Sequence, residues 1–449
     1  MSSALFDWPD TCMHPPFRGS SSPATFCRVY GKFTKTRGAP VGARRWTEVR
    51  RLLLVGLVLL VLAGGRSLRA QDAVRSLSAS SEISLVTILP GDAVHTEFGH
   101  SALHVRDPAQ GINWLYNYGT FDFSDPFFLP KFTYGHLRYF LSVSDYRGML
   151  RFYERVGRPV ITQRLDLTRA QRTALFRFLQ ENARPENRYY QYDFLFDNCS
   201  TRVRDALRQA LGDAVQFADR PDPDASFRQM LDPYVADRPL LDLGFDLALG
   251  TPTDRDVSAR EAMFLPEPLM QAVDHASVRG DTTARPLVTA TDTLVWFEGY
   301  SSTERIFDWP TALAWVLLLV GGLWTAAQVR REQAPGTWTD ATLLGLVGVA
   351  GLAVCYLWFI SEHRVTNQNW NLLWAWPTHV VAAVAVARAS TARWLRYYEG
   401  ITAVGAVGVV LGWTLWPQPL HDAVLPLLLA LALRTGWRAW RHGVEPPNA

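Results

Sequence analysis

The apolar positions of this 449-residue chain change period along its length. Ile83 to Leu89 is a β-rich run stopped by Pro90-Gly91, which predicts a strand and then a turn. Ser101 to Arg106 and Ile112 to Tyr118 predict the two arms of a hairpin joined through Asp107-Pro108-Ala109-Gln110-Gly111. Val160 to Leu167 alternates and predicts another strand. The period then lengthens. Thr168, with Gln171 three residues on, forms a capping box for a helix through Leu175, Phe178 and Leu179 that is over by Pro185. Asp197 or Asn198 caps the next helix, where Val203, Ala206, Leu207, Ala210 and Leu211 fall at helical spacing until Gly212. Residues 213–300 are mixed and give no clear order of elements.

From Pro310 onward the pattern is apolar in five segments, about 310–328, 341–360, 372–387, 401–416 and 423–433. Arginines mark alternate loops: Arg330 and Arg331, then Arg388, Arg393 and Arg396, then Arg434, Arg438 and Arg441. The other two loops hold Arg364 alone and no basic residue. Cytoplasmic loops carry the excess of Arg and Lys, so residues before Pro310 are expected outside. No span has a charge at its centre, which disfavours an ion or proton path. Trp315, Trp324, Trp374, Trp376, Trp413 and Trp416 lie near segment ends or within spans, as interface anchors do. Near the start, Arg50-Arg51, an apolar run from Leu52 to Ala63 and Leu68-Arg69-Ala70-Gln71 fit a secretory signal peptide or an uncleaved anchor. The expected organisation is a disordered leader or mis-assigned start (1–48), a signal or anchor (49–70), an exported domain (80–300), five transmembrane helices (310–433) and a cytoplasmic tail (434–449). The expected fold class is an α+β domain followed by an all-α transmembrane bundle, multi-pass in the inner membrane.

Composition adds one exclusion. The net charge of +3 is small and the arginines are clustered, so no basic face for nucleic acid is expected. The four cysteines, Cys12, Cys27, Cys199 and Cys355, show neither metal spacing nor a paired framework. Cys12 and Cys27 lie in the leader and Cys355 in a span. Cys199 is therefore alone in an oxidising compartment, in the first turn of a helix whose N–H groups and dipole favour a thiolate. The same N–H groups, beside Asn198, can receive an oxyanion. A thiolate nucleophile needs a base, most often histidine. Of His95, His100, His104, His136 and His275, His100 follows a glycine at the mouth of a strand, where a side chain can face a cleft. His104 lies on the same strand face. His95, His100 and His104 with Asp92 form an alternative zinc set, though no helical H-E-x-x-H spacing is present. A third group must fix the imidazole tautomer. Asn117 and Tyr116 on the neighbouring strand, Glu97 and Asp193 are the candidates. An aromatic tract, Phe121, Phe123, Phe127, Phe128, Phe132, Tyr134, Tyr139 and Phe140, reads as core or as a surface facing lipid.

Three blocks together, Phe98-Gly99-His100-Ser101-Ala102-Leu103, Tyr116-Asn117-Tyr118-Gly119-Thr120-Phe121 and Tyr192-Asp193-Phe194-Leu195-Phe196-Asp197-Asn198-Cys199-Ser200-Thr201, resemble the Lnb N-terminal periplasmic domain family over roughly residues 80–270. The multi-span tail resembles the membrane portion attached to that domain. The resemblance implies a lipoprotein transacylase-like activity, in which an acyl chain passes from a glyceryl ester to the amine of an N-terminal cysteine. It also implies a permuted papain-like, NlpC-type fold in which the histidine precedes the cysteine. Carried over by position, His100 takes the base role and Cys199 the nucleophile role. The expected function is a membrane-tethered cysteine acyltransferase acting on phospholipid or lipoprotein esters, with no cofactor and no metal. A cysteine peptidase or amidase of cell-wall peptides, and a non-enzymatic envelope assembly protein, are the rival expectations.

Overall fold

The computed structural model describes residues 76–122, 124–217, 225–280, 283–300 and 306–444. The leader and the signal or anchor segment, with Cys12 and Cys27, lie outside the described residues, as does Phe123.

The chain begins with β1 (Glu82–Ile88), β2 (His100–Asp107) and β3 (Ile112–Thr120), then a short helix α1 (Phe128–Tyr134). Next come β4 (Arg138–Asp145), α2 (Tyr146–Arg155), β5 (Val160–Leu165), α3 (Arg169–Asn182), β6 (Tyr189–Gln191) and α4 (Cys199–Leu211). They are followed by β7 (Val215–Gln216), α5 (Phe227–Val235), α6 (Pro239–Ala248), α7 (Ala259–Ala262) and α8 (Pro266–Asp274), then β8 (Ser277–Arg279), β9 (Ala284–Pro286) and β10 (Val288–Val295). Seven strands form one sheet in the order β10-β5-β1-β2-β3-β4-β6, with every neighbour antiparallel. The domain is α+β.

The hairpin expected between β2 and β3 is present, with Asp107 opposite Ile112 and Leu103 opposite Tyr116. Alternation along these strands sends Ala102 and Leu115 into a core with Val86, Ile88 and Tyr153 beneath α2. On the other face Tyr116 is bonded by Gln180 of α3, and Ser101 meets Ser200 of α4 at 3.0 Å. The capping box at Thr168 starts α3, and a second box at Asn198 starts α4. A separate core, built on Phe227, Leu231, Phe264 and Leu265, supports the loop that leads into α4.

The helical region contains α9 (Trp309–Arg330), α10 (Thr337–Phe359), α11 (His379–Ala387), α12 (Arg393–Leu411) and α13 (Val424–Val444). Among the described residues, α9 and α10 are long and apolar enough to cross a membrane by length and composition. Three expectations change here. The third apolar segment opens as a turn of 3-10 helix at Trp370–Leu373 and becomes a helix of only nine residues, too short to cross alone. The fourth helix starts earlier, at Arg393. The segment expected as a tail from 434 continues α13 to Val444.

Charge explains the displaced boundaries. Asp340 of α10, Glu399 of α12 and Arg434 and Arg438 of α13 are all buried. Arg434 grips Asp340 at 2.6 and 3.0 Å, and Arg438 reaches Glu399 at 2.6 Å and Asp340 at 3.3 Å. Two acids balance two arginines, so the helices carry them inside the bundle instead of ending before them. Arg434 and Arg438 are thus packed groups rather than loop charges.

The sheet domain is fastened to the helical region at two places. The C-terminal carbonyls of α6 are bonded by amides from the far end of the chain. Asn369 Nδ2 donates to Leu247 and Ala248 at 2.8 and 3.1 Å, Asn371 Nδ2 to Asp246 at 2.9 Å and Gln418 Nε2 to Leu249 at 2.9 Å. Gly250 follows, and a Cβ there would lie 1.9 Å from the Asn367 carbonyl oxygen, so only glycine allows this approach. The second place is α1, where the Glu362 amide donates to the Tyr134 carbonyl at 2.7 Å and His363 Nε2 to Phe132 at 2.7 Å.

Candidate active site

Cys199 is the first residue of α4 and is only partly exposed. Asn198 ahead of it accepts the amides of Ser200 and Thr201 at 2.9 and 3.0 Å, which leaves the Cys199 amide free of the cap. The Asn198 side-chain NH2 is spent on the carbonyls of Phe194 and Phe264. Asn198 is therefore the residue that fixes the helix start, and its side chain has no donor left for a reacting oxygen.

His100, at the start of β2, lies near enough to Cys199 for its charge and ring nitrogen to act on the thiol. Its Nε2 donates to Asn117 Oδ1 at 3.4 Å. Asn117 is buried and held by its own NH2, which donates to Ser144 Oγ at 3.1 Å and to the Leu115 carbonyl at 3.3 Å. That orientation points the Asn117 oxygen at His100. It favours the tautomer whose other nitrogen, Nδ1, accepts a proton from the thiol. Burial alone would push the Cys199 thiol up. The His100 charge, its hydrogen bond, the Ser101 amide and the Ser200 hydroxyl outweigh burial and hold the thiol below its ordinary value.

The other expected members lie elsewhere. Tyr116, on the opposite face of β3, is fully buried against Gln180 and does not orient His100. Glu97 is paired with Arg238 at 2.9 Å, and burial pushes its carboxyl up to about 7 despite that arginine. Asp193 folds its own loop by accepting the amides of Leu195 and Phe196. His104 stacks on Tyr146 with ring centres 3.6 Å apart and bonds Asn113 at 2.8 Å. His95 packs edge-on against Phe121. These three histidines have different partners, and among the described residues no group of three His, Cys, Asp or Glu is placed to hold a metal.

Residues 70–232 match the Lnb N-terminal periplasmic domain, and residues 302–442 match the Lnb transmembrane domain. The chain belongs to the Lnb family. It is a membrane protein with a periplasmic domain. A search of curated proteins and a search of solved structures returned no match.

Two further groups in this Lnb chain border Cys199, and neither is evident from sequence. The Tyr190 hydroxyl is enclosed, and its proton has no acceptor within reach among the described residues. A Cβ on Gly119 would sit 3.9 Å from that hydroxyl, 3.9 Å from the Cys199 amide nitrogen and 3.4 Å from the Cys199 Cβ. Gly119, at φ +86°, thus leaves open a small space flanked by two donors. Burial first, then the nearby thiolate charge of Cys199, keeps the Tyr190 phenol well above its ordinary value, so it stays a neutral donor. Arg158 is buried, donates to the Leu89 carbonyl at 3.0 and 2.9 Å, and lies within electrostatic reach of Cys199. Tyr190 sits on β6, nine residues before Cys199, and Arg158 on the turn that leads into β5; no motif marks either. The only sequence signal was the glycine before Thr120.

Proposed function

We propose that this Lnb-family protein is a membrane-tethered cysteine acyltransferase that takes an acyl group from a lipid or lipoprotein ester. The observation that carries the reading is the chain Cys199–His100–Asn117 at the N-terminus of α4, in a domain fastened to membrane helices. In the first step His100 takes the Cys199 proton, and the sulfur attacks the ester carbonyl. The Cys199 amide and the Tyr190 hydroxyl stabilise the tetrahedral oxyanion. The C–O bond then breaks, the leaving alkoxide takes the proton from His100, and an acyl-thioester remains. An amine attacks next and gives its proton to His100. The thioester C–S bond breaks, and the proton returns to the Cys199 sulfur. Water in place of the amine would make the same site a hydrolase. Asn117 holds the imidazole in the productive tautomer throughout. Fastening to the membrane raises the local concentration of ester at the site.

On this reading α9 to α13 cross the inner membrane and hold the sheet domain on the periplasmic side. The order of histidine before cysteine, with a sheet packed on the cysteine helix, supports a permuted papain-like fold. The test is mass spectrometry of the full chain in detergent or vesicles, treated with labelled phospholipid or diacylated lipopeptide. An acyl adduct on Cys199 is expected, reduced about 10²- to 10⁴-fold in His100→Ala. No adduct with any lipid, together with cleavage of a cell-wall peptide, would replace the reading with the amidase.

A further inference from the structure

Between the strand end beside Cys199 and the membrane helices runs a line of aromatic rings. Phe121, two residues beyond Gly119, whose Cβ position lies 3.4 Å from the Cys199 Cβ, joins the line to the site, and Tyr192 is its inner end. Tyr192 stacks on Tyr139 with ring centres 4.4 Å apart. Tyr139 stacks on Phe121 at 5.0 Å, and Phe121 on Phe128 at 5.5 Å. Phe128 stacks on Phe132 at 6.0 Å, and Phe132 meets His363 edge-on at 6.1 Å. His363 lies just beyond the end of α10 at Phe359, so the line ends where a long apolar helix ends.

The line is buried at its inner end and open at its outer end. Tyr139 is 7 % exposed, whereas Phe127, the residue that opens α1, and Leu129 on α1 are 63 % and 67 % exposed. Neighbouring large apolar side chains turned outward on one short helix are unfavourable in water and favourable in lipid. The helix is tied to the 361–363 loop, so its exposed face continues from the outer end of α10. A stack of ring faces and edges, polar only at two phenol hydroxyls and one imidazole, offers mainly dispersion contacts along its length, which suits a methylene chain.

We propose that α1 enters the outer surface of the bilayer and that this aromatic ladder is the track along which one fatty acyl chain of a membrane lipid runs to Cys199. The proposal rests on the acyl-ester reading above and names the part of the substrate that the site recognises. It predicts selectivity for chain length, because each methylene laid along the ladder adds apolar contact.

The test compares thioester formation at Cys199 from a long-chain phospholipid and from a short-chain water-soluble ester in the full chain reconstituted in vesicles. In Phe128→Ser, and independently in Phe121→Ala, the ratio of long- to short-chain rates is expected to fall at least tenfold. An unchanged ratio in both variants overturns the track, whatever happens to the absolute rates. A second measurement does not depend on catalysis. Leu129→benzoylphenylalanine in phospholipid vesicles is expected to crosslink to the acyl chains of radiolabelled lipid, and Arg106→benzoylphenylalanine, on the exposed end of β2, is not. Absence of the lipid crosslink at 129 overturns the proposal. A crosslink at 129 in a protein that never forms an adduct on Cys199 would retain the lipid contact and overturn the acyltransferase reading instead.

Discussion

Asn117 and Tyr116 are adjacent, yet strand alternation turns them to opposite faces, and only Asn117 reaches His100. The sequence offers both residues, and nothing in it says which face of β3 looks at His100. Packing decides: α3 covers one side through Gln180 and leaves Asn117 on the other. Cys199 has a local signature, a helix cap, whereas His100 was one of five histidines and was singled out by the order of the Lnb-like blocks. Tyr190 and Arg158 have none, since their place depends on how β6 and β5 pair. A titration follows from the thiol. Its folded value lies below the ordinary 9.0, so the thiolate is present above that lowered value and is lost as pH falls through it. Alkylation of Cys199 by iodoacetamide, followed against pH, is expected to show an inflection below 9.0, the ordinary thiol value. In His100→Ala the inflection moves upward, because burial then acts with less opposition. An inflection that stays in place would show that His100 does not set the thiol.

At the level of elements, the end of β3 matters most. Its pairing with β4 is regular from Trp114 to Asn117 and then shifts before Thr120, with Gly119 inside the irregularity. The shift opens the space between the Cys199 amide and the Tyr190 hydroxyl. Gly119→Ala adds a Cβ to that space and puts a non-glycine residue at φ +86°. The expected outcome is a stability loss of about 1–2 kcal/mol from the left-handed backbone. Adduct formation on Cys199 is expected to fall by about 10²-fold or more from the blocked donors. Thermal unfolding and adduct mass spectrometry measure the two separately, and full activity would remove this space from the mechanism. The bulge was not legible: the hairpin register is set by apolar alternation, which ends where the candidate site begins. The aromatic tract divided in a similar way: α1 opens after Pro126 and ends at Gly135, in left-handed backbone, before β4 begins at Arg138.

Across the whole molecule, the long elements were legible in outline and their limits were not. A hydropathy reading ends a span at its first charge, whereas the bundle pairs Asp340, Glu399, Arg434 and Arg438 inside it. Removing one partner leaves a buried charge without compensation. Arg438→Met is expected to cost about 3–5 kcal/mol, read as thermal unfolding of the detergent-solubilised protein, and Glu399→Gln in the same chain to recover part of it. A neutral outcome for Arg438→Met would mean that water reaches the cluster. The docking of α6 has a consequence for how the protein is made. Its carbonyls at 246–249 are covered by Asn369, Asn371 and Gln418, residues more than a hundred positions later. The ribosome therefore delivers the sheet domain well before its final hydrogen-bond donors exist. Until residue 418 has emerged and been inserted, the newborn domain has an open seam beside the helix that will anchor it. Maturation of the protein is thus timed by completion of its last helical hairpin.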